Sequence, residues 1–144
     1  MNLIPGVEST GSALSAEKIR LEIIAQNIAN ANTTQDHEGN VYKRKEVVFE
    51  EYITSPERRT PGYVDENLYK GVKVVDVYDD PSPGRMVYNP GHPHADANGM
   101  VEMPNVEMSR EMIDLISASR AYEANLTVVK TSRRMAQQAI AIGR

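Results

Sequence analysis

Two segments at opposite ends of this chain carry heptad stripes. Near the C-terminus Met108, Met112, Leu115, Ser119, Tyr122, Leu126 and Val129 follow one another at alternating steps of four and three, which sets them along one side of an α-helix. Near the N-terminus Val7, Leu14, Leu21 and Ile28 sit seven apart, with Ile24 and Ala31 three residues after the last two. A lone amphipathic helix leaves its apolar seam in water, so each stripe needs a surface to lie against. The partner at hand for each is the other. The expected fold is therefore α+β: long N- and C-terminal helices paired as a coiled-coil-like stem, with a small β-rich central domain. Its expected parts are an N-terminal stem helix over 1–34, a central β/loop domain over 35–104 and a C-terminal stem helix over 105–144. A chain whose ends pair into one rod is organised for assembly more than for catalysis.

At 144 residues the chain is one domain, or a small domain on a helical stem. It has no Trp and one Phe, and seven Tyr and seven Met supply much of its bulky surface. Tyr and Met suit faces that pack on other subunits, and equally fill ordinary cores. The net charge of −4 argues against nucleic acid as a partner. The acid excess lies in residues 36–104, whereas the C-terminal segment has Glu107, Glu111 and Asp114 early and Lys130, Arg133, Arg134 and Arg144 late. That order complements a helix dipole, so the basic end needs no anionic partner to explain it. With no cysteine, disulfides, thiolate metal sites and a cysteine nucleophile are excluded. No run approaches the roughly 20 apolar residues of a membrane span, so direct membrane insertion is not expected. The N-terminus lacks a basic start followed by an apolar stretch, so export would use a route other than an ordinary signal peptide.

Along the chain, the first helix is expected to begin between Ile4 and Ser12 and to end near Asn30, where Asn27, Asn30, Asn32, Thr33 and Thr34 favour termination. Residues 36–40 (DHEGN) signal a turn. Strands are expected over residues 41–53, 72–78, Arg85–Tyr88 and Met100–Met103, with a Pro-, Gly- and charge-rich loop from Thr54 to Gly71. Residues 89–99, with two prolines and two glycines, are read as irregular. Asn105 is the expected N-cap of the last helix. Running from about Val106 to Ile142, that helix would be about 55 Å long and would project beyond the core it grows from.

Candidate chemistry is thin. His92, His94 and Asp96 place three potential ligands within five residues, but no fourth ligand stands at a recognisable spacing. The simpler reading is a turn in which Asp96 and Asn98 bond backbone amides. Glu50 and Glu51, adjacent on a strand, point to opposite faces and cannot act as an acid–base pair. No nucleophile motif or phosphate-binding loop occurs, so no enzyme activity and no cofactor are expected. Lys43, Arg44 and Lys45 are followed by Glu46, Glu50 and Glu51 and are read as a solvated, cross-paired strand face. Asn27, Asn30 and Asn125 are read as polar seam residues that set helix register at some cost in stability. Ala25, Ala29 and Ala31 would allow close helix approach.

These residues carry a family resemblance. LEIIAQNIANANTT (residues 21–34) resembles the N-terminal signature of bacterial flagellar rod and hook proteins, and SASRAYEANLTVVKTSRRMAQQAI (residues 117–140) resembles their C-terminal one. YKRKEVVFEE (42–51), YNPGHPHADANGMVEMPNV (88–106) and EMIDLISASRAYEAN (111–125) are similar to the small proximal, C-type subunits of the basal-body rod. The resemblance spans Gly11 to Arg144, except that the stretch from Thr54 to Gly71 has no counterpart in it. It implies a structural subunit of the periplasmic rod, polymerising through its terminal helices into the hollow drive shaft that transmits torque. It further implies export through the flagellar type III channel without a cleaved signal peptide. The implied partners are other copies of the chain, other rod proteins, the membrane-ring and rod-adaptor proteins at the base, and the export apparatus in transit. The expected assembly interface sets Leu14, Leu21, Ile24 and Ile28 against Leu115, Tyr122, Leu126 and Val129, with Asn27, Asn30, Met112 and Asn125 in the same seam. The rival readings are a soluble coiled-coil adaptor, another axial rod or hook subunit, and a metalloenzyme built on His92 and His94.

Overall fold

The computed structural model describes residues 5–54 and 69–143. In chain order its elements are α1 (Pro5–Asn30), β1 (Lys45–Thr54), β2 (Tyr69–Asp79), β3 (Arg85–Tyr88), β4 (Met100–Met103) and α2 (Met108–Ile142). The architecture is α+β, with two long helices and two antiparallel two-stranded sheets, β1 with β2 and β3 with β4. The loop expected over 54–71 is shorter at both ends, because β1 runs through Thr54 and β2 starts at Tyr69. The rest of that loop falls outside the described residues.

α1 ends where its asparagines turn on their own backbone. Asn30 Nδ2 donates to the Gln26 carbonyl at 2.9 Å, and Thr33 Oγ1 donates to Asn30 Oδ1 at 3.2 Å. Two five-residue turns, one after α1 and one before β4, are built alike. Asp36 Oδ1 accepts from the amides of Glu38 and Asn40, and Asp96 Oδ1 from those of Asn98 and Met100. In each turn the fourth residue is a glycine in the left-handed region, Gly39 at φ 90° and Gly99 at φ 75°, where a side chain would be strained. The second turn closes the β3–β4 hairpin, in which Asn89 donates to the Gly99 carbonyl at 2.8 Å.

The β1–β2 ribbon carries Val47, Phe49, Val72, Val74 and Val77 on one face, with a bulge at Val75 where the register slips between Val48 and Phe49. α1 packs on the ribbon, and its Ser12 Oγ accepts from the Val72 amide at 3.1 Å. A stretch of the outer edge of β2 is thereby covered by the helix.

α1 also lies against α2. Asn27, near the end of α1, bonds Glu111, near the start of α2, so the two run antiparallel. Among the described residues the buried apolar side chains are few and mostly small: Ala16 and Ile24 of α1, Ala31 just past its end, Val101 of β4 and Ala118 of α2. Beside them Asn27, Arg44, Glu111 and Ser132 are buried as well.

Three expectations need correction. Asn105 does not cap α2, which starts after an extended Glu107 with no side-chain cap; Asn105 spends its amide on distant backbone instead. Arg44 is not on a solvated strand face but buried among carboxylates. The deepest row of α2 is not the expected stripe: Glu111, Ala118 and Ser132 are buried, whereas Met112 is 54% exposed and Met108 is exposed too. Leu115, Tyr122 and Val129 belong to both rows and are half-buried. The helix is thus rotated by about one residue from the apolar reading, because small and paired polar side chains let α1 approach more closely than Met or Leu would.

Candidate functional site

The expected seam residues fall into three groups. Ile24 and Asn27 are buried; Leu14, Leu21, Ile28, Asn30, Leu115, Tyr122, Asn125, Leu126 and Val129 are half-buried; Met112 is exposed. Asn30 bonds within its own helix end rather than across to α2.

Asn27 is the centre of a polar joint. Its Nδ2 donates to the Lys45 carbonyl at 2.9 Å and to Glu111 Oε2 at 3.0 Å. Its Oδ1 accepts from the Lys45 amide and from the Tyr42 hydroxyl, both at 2.9 Å. Two donors and two acceptor sites are all that a carboxamide has, so Asn27 is fully satisfied at 1% exposure.

Glu111, at 0% exposure, is the largest fully buried side chain among the described residues. Burying a carboxylate is costly unless it is paired and hydrogen-bonded. Arg44 meets that need: its Nε donates to Glu111 Oε1 at 2.6 Å, its Nη1 pairs with Glu46, and its Nη2 lies 3.6 Å from Asp114 Oδ2. The backbone of Arg44 is held in turn. Its amide donates to Asn105 Oδ1 at 2.7 Å, and its carbonyl accepts from the Asp80 amide at 2.8 Å. Asn105 Nδ2 donates to the carbonyls of Asp80 and Ser82, both at 3.1 Å. At the ribbon base Lys45 pairs with Asp79 at 2.7 Å and Tyr78 donates to Glu46. Burial, then the charges of Asp79 and Glu111, push the Tyr42 phenol up from its ordinary value, which keeps it protonated as a donor.

Sequence reasoning placed Asn27 at a seam but missed Glu111, Arg44, Tyr42 and the actual work of Asn105. One signal was present: Glu111, Ala118, Asn125 and Ser132 also stand seven apart. That row is polar and small, so a search for apolar periodicity passes over it.

The loop histidines form a different picture. His92 Nδ1 accepts from the His94 amide at 3.1 Å, and His94 Nδ1 lies 2.9 Å from Thr34 Oγ1. Asp96 faces its own turn, and the amides of Met100 and Asn98 hold its carboxyl below the usual carboxylate range. Among the described residues no three His, Asp or Glu converge on a point that could hold a metal ion. Nor is any described helix long and apolar enough to cross a membrane.

Along α2, Met112, Ile113, Ile116, Val128, Met135, Ile140 and Ile142 are exposed. Comparison with known proteins gives this surface a context. A family described as "Flagella basal body rod protein" matches residues 8–35, and one described as "Flagellar basal body rod FlgEFG protein C-terminal" matches residues 97–142. Over 99% of this chain and 98% of its own length, "Flagellar basal-body rod protein FlgC" of Borreliella burgdorferi is 38% identical. The protein of that name in Yersinia enterocolitica is 40% identical over 99% of both chains, and that of Bacillus subtilis 34% identical over the whole of both. The chain belongs to the flagellar basal-body rod protein family. It is a structural subunit of the proximal rod, found in the basal body of the bacterial flagellum and assembling with its own kind and other rod proteins. The two matched stretches contain most of α1 and all of α2, with both Asn27 and Glu111; Tyr42 and Arg44 lie between them.

Proposed function

We propose that this rod protein assembles through α1 and α2, paired as a coiled-coil-like stem that contributes to the wall of the hollow shaft, while the β-rich middle stands outside it and torque passes from subunit to subunit. The stem would comprise residues 1–34 and 105–144, and the central domain residues 35–104. One observation carries the reading: α2 is apolar on two sides. The row Glu111, Leu115, Ala118, Tyr122 and Val129 is taken up against α1, yet Ile113, at 64% exposure, and Ile116, at 55%, face solvent on the other side. Isoleucines in such a row gain burial only from neighbouring molecules. Head-to-tail contacts that do not close into a ring let the assembly grow along an axis. Within this reading Leu14, Leu21, Ile28, Met112, Asn125 and Leu126 complete the interface. The chain reaches the periplasm through the flagellar export apparatus, meets the membrane-ring and rod-adaptor proteins at the base, and has no catalytic task.

Ile116→Asp tests the proposal. A carboxylate in a packed subunit contact costs several kcal/mol, but at an exposed position of the single subunit it should shift unfolding by less than about 0.5 kcal/mol. Cells carrying only this variant should lack complete rods and not swim, although the purified chain folds. Intact basal bodies and normal swimming would overturn it.

A further inference from the structure

We propose that Arg44 and Glu111 fasten the ribbon to the helix pair, so that load on the ribbon is delivered to the stem at one fixed point. The inference rests on the assembly reading above and adds the residues through which force would enter the stem.

The observation is a convergence on two consecutive peptide units. Arg44 and Lys45 form the base of the ribbon, and the four backbone polar groups they carry are taken by three separate parts of the fold. Asn105, just ahead of α2, holds the Arg44 amide; Asp80, beyond β2, donates to the Arg44 carbonyl; Asn27 of α1 holds both the amide and the carbonyl of Lys45. The side chain of Arg44 then reaches Glu111 and Asp114 on α2 and returns to Glu46 on β1. Lys45 and Asp79 close the base across the two strands.

Two consequences follow from the chemistry. Glu111 can be buried as a carboxylate only while Arg44 is docked over it. Closing α1 on α2 at Asn27 therefore requires the ribbon base to be in place, and a ribbon that swings away must uncover a charge. A planar guanidinium gripping two or three carboxylates also resists rotation in a way that an apolar contact does not, since its hydrogen bonds are directional. Apolar residues of like volume would supply adhesion without that stiffness.

The test compares Arg44→Met, Glu111→Met and the double variant R44M/E111M in cells with no other copy of the gene. Each single variant strands a buried charge and should lower the number of intact basal bodies several-fold. The double variant removes both charges, and buried pairs replaced together by apolar residues often fold well, so basal bodies should return. Its swimming speed in plain buffer should match the parent strain, and in a viscous medium should fall to about half or less. That split is the decisive readout, because a pair that serves only folding gives parental speed at every viscosity once rods are restored. Should the double variant build no rods, Arg44→Lys, which keeps the charge and loses the fork, takes its place in the same comparison and is expected to show the same loss under load. Parental speed at all viscosities in the variant compared, or single variants with a full complement of basal bodies, would overturn the proposal. The assembly reading fails separately, if Ile116→Asp cells build rods and swim.

Discussion

Asn27 donates twice and accepts twice, so its replacement by Ala strips partners from the Lys45 amide and carbonyl, the Tyr42 hydroxyl and one Glu111 oxygen at once. Buried groups left unpaired cost roughly 1–3 kcal/mol each, and water can reach some of these, so Asn27→Ala should destabilise the chain by about 3 kcal/mol, read as a lowered denaturant midpoint. Leu at the same place should be no better, since the loss is of partners rather than volume. Asp96 gives a second prediction of different sign and size. Hydrogen bonds from the Met100 and Asn98 amides lower its pKa from 3.8. A carboxyl depressed in the folded chain contributes stability above its unfolded value, and that contribution fades as pH falls through the lower folded one. The protection of the Asn98 and Met100 amides, relative to their intrinsic exchange rate at each pH, should fall on acidification below about 3.8, and Asp96→Asn should abolish that fall. Legibility at this scale followed locality. The Asp96 and Asp36 turns were readable because all their bonds lie within five residues, whereas Asn105 looked like a cap and proved to be a bridge to residues 23 to 61 positions away. Arg44 was misread for the same reason: its acidic sequence neighbours suggested a surface pairing, but the partner that buries it, Glu111, is 67 residues on.

At the scale of elements, both helices and all four strands were visible in patterning, and α1 ended at Asn30 as its asparagines foretold. What patterning could not give was the rotation of α2. Hydrophobicity points to the row through Met112, while contact selects the row through Ala118 and Ser132. The two readings differ in what they expect of Ala118→Leu. At 0% exposure against α1, the larger side chain should force the helices apart and cost about 1–3 kcal/mol. Met112→Ala, by contrast, should leave thermal unfolding of the single subunit nearly unchanged, because surface substitutions stay within about 0.5 kcal/mol. A chain that tolerates Ala118→Leu and unfolds early with Met112→Ala would restore the apolar stripe as the true seam. The strand ends differ in both directions: β1, expected from Val41, begins only at Lys45, while pairing continues out to Thr54 opposite Tyr69, ahead of the expected start of β2 at Val72. Ladder hydrogen bonds reward backbone alignment irrespective of side chain, so strand limits follow the pairing partner rather than composition.

On the scale of the whole molecule, the lengths of the two helices decide where the subunit ends and its need for company begins. From Asn27 back to Pro5 is 22 residues, about 33 Å of helix. The same distance forward from Glu111 reaches Arg133, and Ser132 is indeed the last buried residue of α2. Residues 133–142 run on for about 15 Å beyond the start of α1, carrying exposed Met135, Ile140 and Ile142. A helical end whose described side chains stay exposed, half-buried Ala136 apart, adds little to folding, since isolated helix of that length is marginal in water. It still keeps helical form and an apolar edge, and both acquire a purpose only beside another molecule. Truncation after Ser132 should therefore separate folding from assembly. The shortened chain should unfold within a few degrees of the full one, as expected when less than about 1 kcal/mol is lost, while cells that depend on it build no complete rods. If the truncation instead melted the helix pair, α2 would be stabilising α1 through contacts beyond Ser132, and the division between a self-sufficient joint and an assembly-dependent end would be wrong. If truncated cells swam normally, exposed Met135, Ile140 and Ile142 would have no neighbour to bury them, and the assembly-dependent end would lose its explanation.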